Sequence, residues 1–202
     1  MMQRIVLAMA AAFCVLMTVG TLYLFTQSSE RPTPGAALNI EGSSIGGPFT
    51  LVNETGETVT SKEVIAGPTL LYFGYTYCPD VCPVDVQTMA DMVDLLDQQG
   101  LDVKPVFITI DPSRDDSATM ADWSEIMHPK MTSLTGSDAQ IADAASAYKV
   151  YYQRVETEGQ SEYLMNHSAY IYLVDPSGLR AVYRRGYTPE ELAADVAWVL
   201  TP

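Results

Sequence analysis

At 202 residues the chain has room for one ordinary domain with accessory sequence, and not comfortably for two. Its 25 acidic residues outnumber 11 basic ones, for a net charge of −14. With no cluster of Lys and Arg, that balance excludes nucleic-acid binding, which needs cations to meet the phosphates, and leaves a solvated surface or a cationic partner steered by charge.

From Ile5 to Phe25 no residue is charged, and Ala, Val, Leu, Met and Phe dominate. A membrane-spanning helix needs about 20 such residues. The run exceeds the roughly 7–15 apolar residues of a cleaved signal core, and Thr26 to Glu30 offer no small-x-small cleavage site. The span 1–26 therefore reads as an uncleaved N-terminal anchor, with Cys14 packed in it as a small apolar residue. Arg4 precedes the run and Arg31 follows it, so the positive-inside rule leans toward the N-terminus in and the rest of the chain out. Residues 27–37, rich in Ser, Pro and Thr, read as a flexible tether, and 38–202 as the exported domain.

The domain alternates strands and helices. Pro48–Asn53 and Thr58–Thr60, joined by a turn containing Gly56, predict a β-hairpin. Thr69 to Tyr75 is apolar on both faces, as a central strand is. A helical repeat through Val86, Met89, Val93 and Leu96 follows and closes at Gly100. Lys104–Ile110 is a second buried strand. Asp115–Met127 and Ser137–Tyr148 are helices, the latter with Ser137 as N-cap. Ala169–Val174 and Arg180–Arg185 flank the turn Asp175-Pro176-Ser177-Gly178, and Thr188-Pro189-Glu190-Glu191 opens a last helix. The order predicts an α/β domain with a sheet layered between helices.

Between the first central strand and its helix stands Cys78-Pro79-Asp80-Val81-Cys82-Pro83. Thiols at i and i+4 share one face of a helical turn, close enough to clamp a soft metal ion or to form a disulfide. A helix start favours negative charge and so favours thiolate, the form that binds metal and exchanges disulfides. The spacing is one residue longer than C-x-x-C, which makes a third ligand the question. Two histidines are available. His128, between a helix end and Pro129, suits an exposed residue answering the helix dipole. His167, just before a strand, is open between a structural role and ligation. Asp111, at a strand end before Pro112, reads as the start of a turn, with support of the site as the alternative.

Several segments in order carry a resemblance: Ile45-Gly46-Gly47-Pro48-Phe49, Tyr72-Phe73-Gly74-Tyr75-Thr76, the cysteine hexapeptide, Asp111-Pro112-x-Arg114-Asp115, Leu134-Thr135-Gly136, Ala147-Tyr148-x-Val150-Tyr151-Tyr152, His167-Ser168-Ala169 and Leu173-x-Asp175-Pro176-x-Gly178. Together they closely resemble the SCO/SenC family of copper-delivery proteins for cytochrome c oxidase, over about Ile45 to Leu200. Asn166 stands where family members often carry Asp, and Val84 where a hydroxyl residue is common.

The resemblance implies a thioredoxin-like fold, a central mixed sheet flanked by helices with an N-terminal β-hairpin, preceded by one transmembrane helix. It implies a copper site of Cys78, Cys82 and His167 taking one Cu(I) or Cu(II) ion per domain. The partners implied are cytochrome c oxidase subunit II as acceptor and a periplasmic copper donor or thiol reductant. The domain would stand in the periplasm on an inner-membrane anchor. The same family includes members read as thiol–disulfide oxidoreductases, which would use Cys78 and Cys82 alone, and a copper-responsive redox sensor shares the same residues.

Overall fold

An apolar strand buried on both faces needs a neighbour along each edge. β3 (Thr69–Gly74) is buried along its whole length. It pairs in parallel with β4 (Lys104–Thr109) and antiparallel with β8 (Tyr170–Asp175). Beyond β4 come β5 (Thr132–Thr135), parallel, then β1 (Thr50–Asn53) and β2 (Thr58–Thr60), the predicted hairpin. Beyond β8 comes β9 (Gly178–Arg184). The order is β2-β1-β5-β4-β3-β8-β9, and β6 (Tyr152–Val155) pairs with β7 (Leu164–His167) in a separate two-stranded sheet. A mixed sheet with parallel β3 and β4 beside antiparallel β8 and β9 is the thioredoxin-like arrangement.

Beyond residue 36, the helices among the described residues are α1 (Ser61–Val64), α2 (Val81–Gln98), α3 (Ser117–Met127), α4 (Asp138–Ala147) and α5 (Pro189–Leu200). Ser137 and Thr188 cap α4 and α5 through the backbone N–H groups of Gln140 and Glu191, as their sequences predict. α2 buries Val86, Met89, Met92, Val93 and Leu96, its apolar stripe, in the core.

The computed structural model describes residues 16–18, 37, 38, 40, 43–156 and 162–201. Residues 16–18 are helical. The rest of the expected anchor, Cys14 included, and residues 27–36 of the expected tether lie outside the described residues. Among the described residues no helix is long and apolar enough to cross a membrane. Ala37, placed by its sequence in the tether, forms an isolated antiparallel bridge with Tyr183 on β9.

Several features depart from the sequence reading, among them α1 and the β6–β7 hairpin, whose second strand ends on His167 where the sequence placed that residue before a strand. β5 was not expected, because Thr132-Ser133-Leu134-Thr135 is short and polar. It is buried because its hydroxyls find partners inside: Ser124 Oγ donates to Ser133 Oγ at 2.6 Å, and Thr135 donates to the Asp115 carbonyl at 2.6 Å. His128 is buried rather than exposed. Its Nδ1 accepts the Lys130 N–H at 3.1 Å, which leaves Nε2 to donate to Asp94 Oδ1 at 3.2 Å, so both ring nitrogens are satisfied. Finally, α3 starts at Ser117 with Asp116 as its cap, and Asp115 falls outside it.

Asp115 is fully buried at the carboxyl ends of β3 and β4. It accepts the Thr76 N–H at 3.1 Å and the hydroxyls of Thr76 and Thr109. This carboxylate ties the segment after β3 to the segment after β4. Burial raises its pKa above the ordinary 3.8, against the lowering effect of those hydrogen bonds. The folded chain therefore holds this proton to higher pH than the unfolded chain, and the group's contribution to stability falls as pH rises through that window. Asp115→Ala strands the Thr76 N–H and is expected to cost about 1–3 kcal/mol in denaturant unfolding. It should also remove the fall in stability with rising pH that Asp115 itself contributes in the acidic range, leaving the opposite contributions of carboxyls such as Asp175 in place.

Candidate metal and redox site

The first N–H groups of a helix have no intrahelical acceptor. At α2 the cap position belongs to Asp80, whose side chain makes no capping hydrogen bond. The Cys82 N–H is met instead by Cys78 Sγ at 3.3 Å. Pro83 follows in the same turn, where its missing N–H costs nothing. Cys78 precedes the helix, in a turn closed by its own N–H to the Tyr75 carbonyl at 3.2 Å. The two sulfurs therefore meet across the helix terminus, not along one helical face as the spacing alone suggests.

The thiols are unequal. Cys78 is half-buried and Cys82 fully buried, and both are free. The Cys82 thiol donates to Cys78, holding Cys78 far below the ordinary thiol range against the cost of its own burial. The N–H groups of Cys82 and Asp80 add to the effect. Cys82, as the donor and in an apolar setting, is pushed upward. The proton the pair shares is thereby favoured on Cys82 over Cys78.

His167 closes the group from β7. Its Nε2 stands 3.2 Å from Cys82 Sγ, across 85 positions of sequence. Its Nδ1 lies 3.0 Å from the Ser168 carbonyl, which can only accept. Nδ1 therefore carries the proton, and the Nε2 lone pair faces the sulfur. The rings of Tyr72 and Tyr75 meet the imidazole edge to face at 6.2 and 6.0 Å. Among the described residues no group of three or more His, Cys, Asp or Glu side chains is arranged as a metal-holding cluster. Cys82 is the link between the other two, through its N–H to Cys78 Sγ and its own sulfur beside His167 Nε2.

Space at the site is set by Gly74. A Cβ there would stand 3.0 Å from Cys82 Sγ, 2.9 Å from Tyr72 Cε1 and 3.0 Å from Phe107 Cε2. Only a residue without a side chain lets β3 pass behind the buried sulfur.

Several residues that complete the site were missed in the sequence. Asp85, one turn after Cys82, is buried and accepts from Tyr72 Oη at 2.9 Å and from Arg185 Nε at 2.7 Å. A lone Asp on the apolar side of a helix was the available signal. Asp111 is more than a turn residue. It is buried, accepts from Arg114 Nε at 2.6 Å and from Tyr163 Oη at 2.8 Å. Asn166 is exposed on β7, paired across the ladder with Gln153, and Val84 is exposed on α2.

Residues 38–201 match the family model described as SCO1/SenC. Protein SenC of Rhodobacter capsulatus is 42% identical over 198 residues, covering 96% of this chain and 89% of its own. The structure of ScoI from Arabidopsis thaliana with copper bound is similar at a TM-score of 0.74 and 38% identity, covering 77% of this chain and 98% of that one. ScoI from Bradyrhizobium japonicum, also with copper bound, gives 0.69 and 39%, over 77% of this chain and 99% of that one.

The unequal thiols set an expected reactivity. With limiting iodoacetamide at mildly acidic pH, where an ordinary thiol of pKa about 8.5 is protonated, Cys78 should be alkylated while Cys82 stays unmodified. Peptide mapping by mass spectrometry reads the result. Equal labelling, or labelling of Cys82 first, would contradict the assignment.

Proposed function

This chain belongs to the SCO1/SenC family, and from that premise we propose that it is a copper-carrying assembly factor for cytochrome c oxidase. The observation that carries this reading is the meeting of two sulfurs and one imidazole nitrogen at the start of α2. Thiolates are soft donors suited to Cu(I), and imidazole suits either oxidation state. Cys78, Cys82 and His167 would hold one copper ion per domain. The set lacks the fourth protein ligand that closes a structural zinc site, and an open set can give up its ion by ligand exchange. Copper is then cargo. Its acceptor, as the family resemblance implies, is the binuclear centre of cytochrome c oxidase subunit II, and its source a periplasmic copper donor. The span 1–26 would anchor the domain to the inner membrane on its periplasmic side.

One observation favours a second use of the same residues. A half-buried thiolate beside a buried thiol is the pairing of an attacking and a resolving cysteine. Cys78 and Cys82 would reduce the acceptor's copper-ligating cysteines before metallation, and a thiol reductant would restore the pair. Copper binding needs His167; disulfide exchange needs only the thiols.

Anaerobic Cu(I) competition titration of the reduced full chain separates the two. One ion bound per chain is expected, lost in Cys78→Ser and Cys82→Ser and weakened at least about tenfold, or 1.4 kcal/mol, in His167→Ala. Equal binding by wild type and His167→Ala would leave disulfide exchange as the function.

A further inference from the structure

Two of the three donors lie in the cysteine segment, and the third arrives on the β6–β7 hairpin. A two-stranded hairpin is marginal by itself, and its sheet is separate from the main one. Something must hold it in place. Arg114 touches both parties. Its Nη1 donates to the Tyr163 carbonyl at 3.1 Å, at the residue before β7, and its guanidinium lies over the Tyr163 ring at 3.6 Å. The same guanidinium stands 4.7 Å from the ring of Tyr77, next to Cys78, and 5.8 Å from that of Tyr75, whose ring meets His167. Asp111 fixes the arrangement, taking Arg114 Nε on one oxygen and the Tyr163 hydroxyl on the other. Arg154 of β6 covers the ring of Tyr163 as well, at 3.7 Å.

We propose that Arg114 is a positioning residue: with Asp111 it clamps Tyr163 and so holds the His167-bearing hairpin in register with the cysteine segment. The proposal rests on the copper reading above for its affinity consequence, and on geometry alone for the clamp. A guanidinium suits the task because one planar group serves a carboxylate, a carbonyl and stacked rings at once. An ammonium is a point charge and cannot do all three.

The test is a double-mutant cycle on the full chain, read by anaerobic Cu(I) competition and by amide hydrogen exchange of 152–155 and 164–167. Arg114→Met is expected to weaken Cu(I) binding about 10- to 100-fold, the range found when a residue supporting a metal ligand is lost. It should add little in a His167→Ala background, because it acts through that histidine. Protection of the hairpin amides should fall. Arg114→Lys should recover part of both losses. Tyr163→Phe, which removes only the hydroxyl and guards against a variant that does not fold, should show a smaller effect of the same kind. Equal losses in both backgrounds would overturn the proposal, as would unchanged Cu(I) affinity in Arg114→Met while His167→Ala is weakened. If wild type and His167→Ala bind copper alike, the copper reading fails separately. The clamp is then decided by exchange: lower protection upholds it, and unchanged protection overturns it.

Discussion

The site depends on one hydrogen bond at a helix terminus, from the Cys82 N–H to the sulfur of Cys78. A helix start must find acceptors for amide protons that its own carbonyls cannot reach. Here Asp80 makes no side-chain capping bond and Pro83 has no amide proton to place, so a sulfur takes the role. An acceptor at that position is favoured as an anion. The Cys82 side chain, also donating to it, is thereby kept as the thiol. The hydrogen bond between the sulfurs and the deeper burial of Cys82 thus decide which of two chemically identical side chains carries charge, and the helix N–H groups add to it.

The fold delivers the remaining parts to that terminus. β3 and β4 run in parallel, so the segments leaving them emerge at the same edge of the sheet. There the carboxylate of Asp115 joins them through Thr76 and Thr109. Carboxyl ends of parallel strands are where α/β proteins gather functional groups from distant sequence. Behind the sulfurs, Tyr72, Asp85 and Arg185 form a continuous chain of polar contacts from β3 through α2 to the end of β9. Each of these charges is partnered, which is the condition for burying carboxylates beside a metal or redox site.

The fold was largely legible because its central strands are continuous apolar runs and its helices carry their caps in the sequence. β5 escaped because its burial is achieved by paired hydroxyls, which look like loop chemistry in one dimension. His128 was misread for the same reason: the partners that permit its burial, Asp94 and the Lys130 amide, come from another helix and from the turn beyond it. At the site, the thiol pair was visible from spacing, but the unequal protonation was not, since it depends on which sulfur donates to the other and which lies deeper. Arg114 and Asp115 stood in a segment recognised only as part of a pattern. Their roles lie in partners far off in sequence, Tyr163 some 50 positions from Arg114 and Thr76 some 40 from Asp115.

Unequal thiols also change the proton stoichiometry of oxidation. Between their two pKa values the reduced pair holds a single proton, on Cys82. Forming the disulfide then releases two electrons and one proton, where an ordinary dithiol releases two of each. The midpoint potential of such a couple falls by about 30 mV per pH unit, half the slope of a two-proton couple. Against an ordinary thiol–disulfide buffer, whose potential moves twice as far, the ratio of oxidised to reduced pair would therefore rise about tenfold for each unit fall in pH, where a symmetric pair would hold its balance.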